Sequence, residues 1–294
     1  MIHSTTTNQS QFPLFRLLLG SVCISFSPIF IKLAALPPDS AGFYRMLFAG
    51  LSLFVLLRLR GETLQMARRT QLLLCCAGIF LAMDFMCWHR SIELIGPGLS
   101  TLLANFQVFF TALFSWLLLK QKVSKLFILA IVLAIAGLFL ITGIDWQELE
   151  RGYKLGIFLA LLTAVLYSGY ILCLKTALSE SSVSGVSAML LLSIPSALLL
   201  AVITPLNGAS FAIPSTQSFL ALIGVGVLGT TVGWSFISSA IKYIPATVAG
   251  LVLLLQPTLA MIWDVLFFDR PTGGLEVVGV LLILSAIYIG SCRN

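Results

Sequence analysis

Charge is what this chain has least of. Only 10% of its 294 residues are Asp, Glu, Lys or Arg, against ~25% in an ordinary soluble domain. Such a chain cannot cover a globule with polar surface, which excludes a water-soluble fold. Histidine is nearly absent. His3 lies in the polar N-terminal stretch, leaving His89 as the one His within the apolar part. No H-E-x-x-H, G-x-S-x-G or Walker loop occurs, which argues against a His-based membrane hydrolase and against ATP as an energy source. Uphill movement of a substrate would have to draw on an ion or substrate gradient. The six cysteines have no paired spacing, and Cys75-Cys76 has no downstream Cys/His set. They are expected as free buried thiols, with no metal and no cofactor.

What is present is hydrocarbon: 59% of the residues are hydrophobic. Apolar runs recur at about 14–36, 40–58, 71–91, 98–119, 125–143, 154–174, 184–204, 217–239, 247–267 and 274–292. Runs of ~18 residues or more suffice to cross a ~30 Å hydrocarbon core. They are apolar all round rather than alternating, so helices are predicted and barrel strands are not. The first run is too long for a signal-peptide core and contains Lys32, so it is read as a retained helix.

The chain also says nearly the same thing twice. Ile92–Gln107 (IELIGPGLSTLLANFQ) parallels Ile241–Gln256 (IKYIPATVAGLVLLLQ), and Ser25–Ala34 parallels Ser168–Ala177, with Lys32 falling on Lys175. The expected organisation is a polar N-terminus (1–13), a first five-helix repeat (14–143), a loop (144–153) and a second repeat (154–292). An odd number of helices per half makes the halves enter the bilayer in opposite senses. The predicted fold is therefore an all-α membrane protein of ten transmembrane helices in two inverted repeats, with a substrate site between them. Eleven Lys and Arg, among them Arg58, Arg60, Arg68 and Arg69, fall on one side, and five fall on the other: Lys32, Arg90, Arg151, Lys154 and Arg270. Both termini are thus expected in the cytoplasm of a cell with the chain in its inner (plasma) membrane. This bias accounts for the net charge of +6, and no nucleic-acid partner is inferred. The expected partners are a small-molecule substrate and the lipid bilayer. Monomer and homodimer remain equally open.

Ionisable residues inside spans are costly in hydrocarbon and face a cavity or a partner. Arg45, Asp84, His89, Arg90 and Asp264 gather towards one side of the predicted bilayer. Asp84 shares a helical face with Trp88 and Ser91. Two readings stand for it, a carboxylate taking a proton or substrate cation and an ion pair with Arg45 or Arg90. His89 is either a titrating group or an interfacial ring. The candidate cavity comprises Asp84, Trp88, His89, Asn105, Tyr167, Tyr170 and Trp234. Gln107 and its repeat mate Gln256 are expected to bond between helices. Gly229 and Gly233, and Ala130 and Gly137 with their mates Gly279 and Ala286, are expected at close helix contacts. Pro28 interrupts the first span.

The sequence resembles the EamA type of the drug/metabolite transporter superfamily over almost its whole length. The resemblance rests on P-P-D-S-A-G-F-Y-R-M-L-F-A at Pro37–Ala49, on the segment from Trp88 through the fourth span, and on Q-P-T-L-A-M-I-W at Gln256–Trp263. It departs from the family where a Gly-Glu pair often follows helices 4 and 9, near Gln121 and Arg270 here. It departs again at Val108, which stands where the second half has Pro257. The resemblance implies a basket of helices around a cavity lined mainly by spans 1, 3, 4, 6, 8 and 9, and export or exchange of small metabolites. The expected function is a secondary transporter of amino-acid-like or amine-like metabolites working by alternating access, and not an enzyme. The rival readings are a membrane-embedded enzyme or lipid-handling protein using Asp84 and His89, and a passive uniporter.

Overall fold

The computed structural model describes residues 8–62, 64–119, 125–142, 149–179, 181, 183–240, 243, 252, 253 and 255–291. Every regular element among them is helical, because an apolar segment in lipid must satisfy its backbone groups internally. Span 1 consists of α1 (Asn8–Ser25) and α2 (Ser27–Ala34), span 2 of α3 (Pro38–Leu59) and span 3 of α4 (Arg68–Ile95). Span 4 is α5 (Pro97–Ala104) with α6 (Gln107–Leu119), and span 5 is α7 (Lys125–Thr142). In the second half, span 6 is α8 (Arg151–Ser179) and span 7 is α9 (Gly185–Leu206). Span 8 runs through α10 (Thr216–Ile223), a π-helical stretch (Gly224–Val232) and α11 (Gly233–Ala240). Span 9 ends in α12 (Leu255–Phe268), and span 10 is α13 (Gly274–Ser291). Six of the ten, spans 1, 2, 3, 6, 7 and 8, are long and apolar enough as described to cross a membrane. Most of Ile241–Gln256, together with Gln121, Pro245 and residues 143–148 of the loop between halves, lies outside the described residues.

The two halves interlock in a symmetric pattern. Span 1 packs on span 8 and span 3 on span 6, while 2 packs on 7, 4 on 9 and 5 on 10. Exchanging the halves turns the 1–8 contact into 6–3 and maps each of the other pairs onto itself. This is the contact map that a pseudo-two-fold axis between inverted repeats produces. Small residues mark the 5–10 seam. A Cβ on Gly137 would stand 2.7 Å from the Gly279 carbonyl oxygen, and one on Gly279 2.7 Å from that of Gly137. Their repeat mates Ala286 and Ala130 are fully buried in the same cluster. The mate serines follow the same rule. Ser168 Oγ on span 6 donates to the Gln107 carbonyl on span 4 (3.0 Å), and Ser25 Oγ on span 1 accepts from Trp263 Nε1 on span 9 (3.0 Å).

Large apolar side chains face outward along the spans, among them Leu51, Val132, Phe158, Leu198 and Leu281. In water this surface would drive aggregation; in a bilayer it is the solvent-facing side.

A central cavity as candidate functional site

Three spans lose regular α-geometry part-way along their length. In span 1, Pro28 cannot donate to the turn before it, and the chain breaks at Phe26 between α1 and α2. Trp263 braces the break, stacking on Phe26 (4.8 Å between centroids) while bonding Ser25. In span 4, α5 ends at Ala104 and the Asn105 side chain turns back to donate to the Thr101 carbonyl (2.8 Å). In span 8, nine residues follow π geometry, and the Thr230 hydroxyl donates to the carbonyl five residues before it, that of Val225 (2.9 Å). Non-α backbone of this kind at membrane depth belongs where it lines a cavity.

The breaks surround a cavity of about 400 Å³. Spans 1, 4 and 9 contribute Ser27, Thr101, Asn105, Gln107 and Gln256, and spans 3, 6 and 8 contribute Asp84, Trp88, Tyr167, Tyr170 and Trp234. Spans 2 and 7, outside the expected lining, add Arg45, Met46 and Met189. Tyr167 and Tyr170 meet edge to face, with centroids 5.1 Å apart. The Arg45 guanidinium lies over Phe85 at 4.3 Å and near Trp88 at 5.4 Å, and its Nε donates to Thr230 Oγ1 (3.1 Å). Both Arg45 and Asp84 are buried, at 6% and 3% exposure.

Of the predicted cavity residues, Asp84, Trp88, Asn105, Tyr167, Tyr170 and Trp234 converge on this space, and His89 does not. At ~100° per residue, Trp88 returns to the face of Asp84 while His89 turns well away from it. His89 Nδ1 bonds the Pro38 carbonyl at 2.9 Å, and its ring stacks on Phe85. It borders a second pocket of about 350 Å³ with Lys32 and Glu93. Arg90 is likewise not the partner of Asp84. It grips Asp39 with two bonds of 2.6 and 2.7 Å, and Asn207 joins them from span 7 (2.8 Å). Gln107 and Gln256 point their positions at the cavity, and among the described residues neither side-chain amide makes the expected interhelical bond. Ser91 turns from Asp84 to the Trp88 carbonyl and to Ser100. Arg45 is the largest contributor that sequence reading undervalued; its place in the motif at Pro37–Ala49 was the available signal.

The same end of the bundle holds a second ionic cluster. Asp264, 1% exposed, faces Lys32 (3.9 Å) and Arg270 (3.4 Å) and accepts from the Gly98 backbone N–H (3.0 Å). A carboxylate at the first turn of α5 meets its unsatisfied N–H groups. Gly96 takes a positive φ of 82° there, and any Cβ would stand 2.7 Å from Asp264 Oδ2. Arg270 also pairs with Glu276.

Inverted helical halves, closing on a largely apolar cavity set with a few polar and charged groups, in a lipid-facing shell, define a multi-pass membrane transporter. The chain belongs to the EamA-like transporter family, whose profile matches residues 11–143 and again 154–292. Two curated relatives are named pseudopaline exporter CntI, from two strains of Pseudomonas aeruginosa. Each is 23% identical over 255 residues, 86% of this chain and 86% of the relative. A solved crystal structure covers 97% of this chain and 96% of its own, with a TM-score of 0.64 and 17% identity. That likeness concerns the fold alone.

Proposed function

We propose that this protein exports a small, polar organic metabolite across a bacterial plasma membrane, both termini being cytoplasmic, by alternating exposure of the central cavity. The observation that carries this reading is a set of unanswered polar groups. Among the described residues, Ser27 Oγ, Arg45 Nη1, Asp84 Oδ1, Trp88 Nε1 and Thr101 Oγ1 are buried without a hydrogen-bond partner, and all five residues line the cavity. Buried polar atoms are ordinarily paired, so donors and acceptors held open around one space suit a ligand that completes them. The two exporter relatives support the outward direction. An amino-acid-like or amine-like substrate suits a carboxylate and a guanidinium set among five aromatic rings, those of Phe85, Trp88, Tyr167, Tyr170 and Trp234. The enzymatic alternative rests on Asp84 and His89 acting together, and His89 turns to the Pro38 carbonyl, away from the cavity that Asp84 lines. The test is efflux from proteoliposomes loaded in turn with amino acids, amines and nucleosides, with and without a proton gradient. Protein-dependent efflux of one class is expected. Equal leakage from loaded liposomes with and without protein, in every class, would overturn the reading.

A further inference from the structure

Arg45 is a guanidinium buried within span 2 that, among the described residues, has no carboxylate partner. Its one side-chain hydrogen bond there is from Nε to a neutral hydroxyl, that of Thr230 (3.1 Å), and Nη1 meets no acceptor. Phe85 and Trp88 lie under its plane, shielding one face and fixing its direction. The nearest available counter-charge is Asp84, on the same cavity wall. It acts on Arg45 through space, yet the two do not join, and Asp84 Oδ1 is itself unpartnered. Elsewhere in this protein, carboxylates of the spans do join guanidinia. Asp39 with Arg90 and Asp264 with Arg270 are direct pairs. Keeping one buried pair apart leaves both charges without full compensation, a cost that persists only when something else meets them.

We propose that Arg45 is a substrate-carboxylate anchor, and that it acts together with Asp84 as the cation anchor, so that the preferred substrate is a zwitterion bridging the two. The proposal rests on the cavity being the transport site, and it selects the amino-acid-like over the amine-like substrate. Arg45 presents its outer N–H groups to a carboxylate, a geometry that guanidinium satisfies and ammonium does not. Asp84 accepts from the ligand's ammonium. The rings of Tyr167, Tyr170 and Trp234 then stand beside the part of the ligand between and beyond its charges. A simple amine would leave Arg45 unmet, and a simple acid would leave Asp84 unmet. Either loses about ten- to a hundredfold in affinity for one charge-assisted hydrogen-bonding group left without its partner.

The experiment is a binding measurement on the purified full chain in nanodiscs, using two matched sets. One set is phenylalanine, phenethylamine and 3-phenylpropionate; the other is leucine, isoamylamine and 4-methylpentanoate. In at least one set the zwitterion should bind at least tenfold more tightly than its amine or its acid. Arg45→Gln should bring the zwitterion's affinity down to that of the amine while leaving the amine unchanged. Asp84→Asn should bring it down to that of the acid. Arg45→Lys, which keeps the charge should Arg45→Gln fail to fold, should retain binding but lose severalfold. The proposal is overturned if amine or acid binds as tightly as the zwitterion, or if Arg45→Lys and Arg45→Gln weaken the amine as much as the zwitterion. In those outcomes the cavity still binds and the transport reading stands. If no member of either set binds, while nucleosides or other cargo show protein-dependent efflux, this anchor scheme alone falls. If nothing binds and nothing is moved, both fall together.

Discussion

Asp84 and Arg90 sit six residues apart on α4 and meet different fates because of depth and direction. Six residues are ~9 Å of rise and about a third of a turn of rotation out of phase. Arg90 therefore reaches the start of α3, where Asp39 waits at the first turn, while Asp84 stays on the cavity face. Sequence alone gave both arginines an equal claim on Asp84, since partners 51 and 39 residues away in the chain leave no local trace. The helical face shared by Asp84 and Trp88 was legible, because it is a matter of periodicity. The same arithmetic places His89 off that face. The two aspartates should respond oppositely to one substitution. Asp39→Asn removes the charge from a two-bond pair with Arg90 and should lower stability by about 1–2 kcal/mol, the half-exposed arginine softening the loss. Asp84→Asn removes a buried charge that has no direct pair, so folding should be held or improved while transport fails. Thermal unfolding in detergent beside liposome efflux separates the two. Equal loss of stability in both variants would show that Asp84 is a structural partner after all.

At the scale of elements, ten spans were visible as apolar runs, and their pairing in two halves was visible from the repeated segments around Gln107 and Gln256. The interruptions inside spans were less so. Pro28 announced the break in span 1, whereas nothing about Asn105 marks span 4 for a turn. The π-helical stretch of span 8 is specified by contacts made across the bundle. Gly226 admits the α3 backbone and Phe48 where any Cβ would clash, at 2.7 Å from Phe48 Cβ. Thr231 Oγ1 meets Ser52 Oγ at 2.6 Å. Such stretches recur at functional sites, and here one threonine serves both roles. Thr230 closes the π turn through Val225 and receives Arg45. Thr230→Val keeps the shape of the side chain and removes both bonds. It should cost about 1 kcal/mol or more of stability and weaken substrate binding by roughly tenfold, since Arg45 is released from its heading. Thr230→Ser should restore both. A Thr230→Val protein that binds as wild type would show that the π stretch and Arg45 are independent.

Across the whole molecule, the symmetric contact map supplies two arrangements of the same halves, and what distinguishes them is which end is tied. The charge bias of the connections predicts which side each end faces. Single cysteines near Glu148 and near Arg60, in a cysteine-free background, should label from opposite faces of the membrane; labelling of both from outside would break the ten-span inverted arrangement. In the described conformation two ionic clusters tie the end that carries the 35–37, 207–215 and 269–273 connections. One joins spans 2, 3 and 7 through Asp39, Arg90 and Asn207. The other joins spans 1, 4, 9 and 10 through Lys32, Gly98, Asp264, Arg270 and Glu276. At the opposite end, among the described residues, Glu62 receives Ser184 and Ser187 and lies near Arg60 (3.8 Å). Opening towards the first end must part the Asp264 cluster, because it spans both halves at the mouth of α5. Asp264→Asn weakens its bonds to Lys32 and Arg270 together, a change worth about 1–3 kcal/mol. A two-state equilibrium moved by that amount changes its ratio by roughly five- to a hundredfold. A reporter cysteine at Thr101, a cavity-lining position with a buried hydroxyl, should then react at least severalfold faster with a membrane-impermeant maleimide added on the Glu148 side. Added on the Arg60 side, the reagent should react more slowly than with the unaltered protein. An increase from both sides would mean a loosened fold rather than a shifted equilibrium, and unchanged rates from both would mean that the cluster does not hold this end shut.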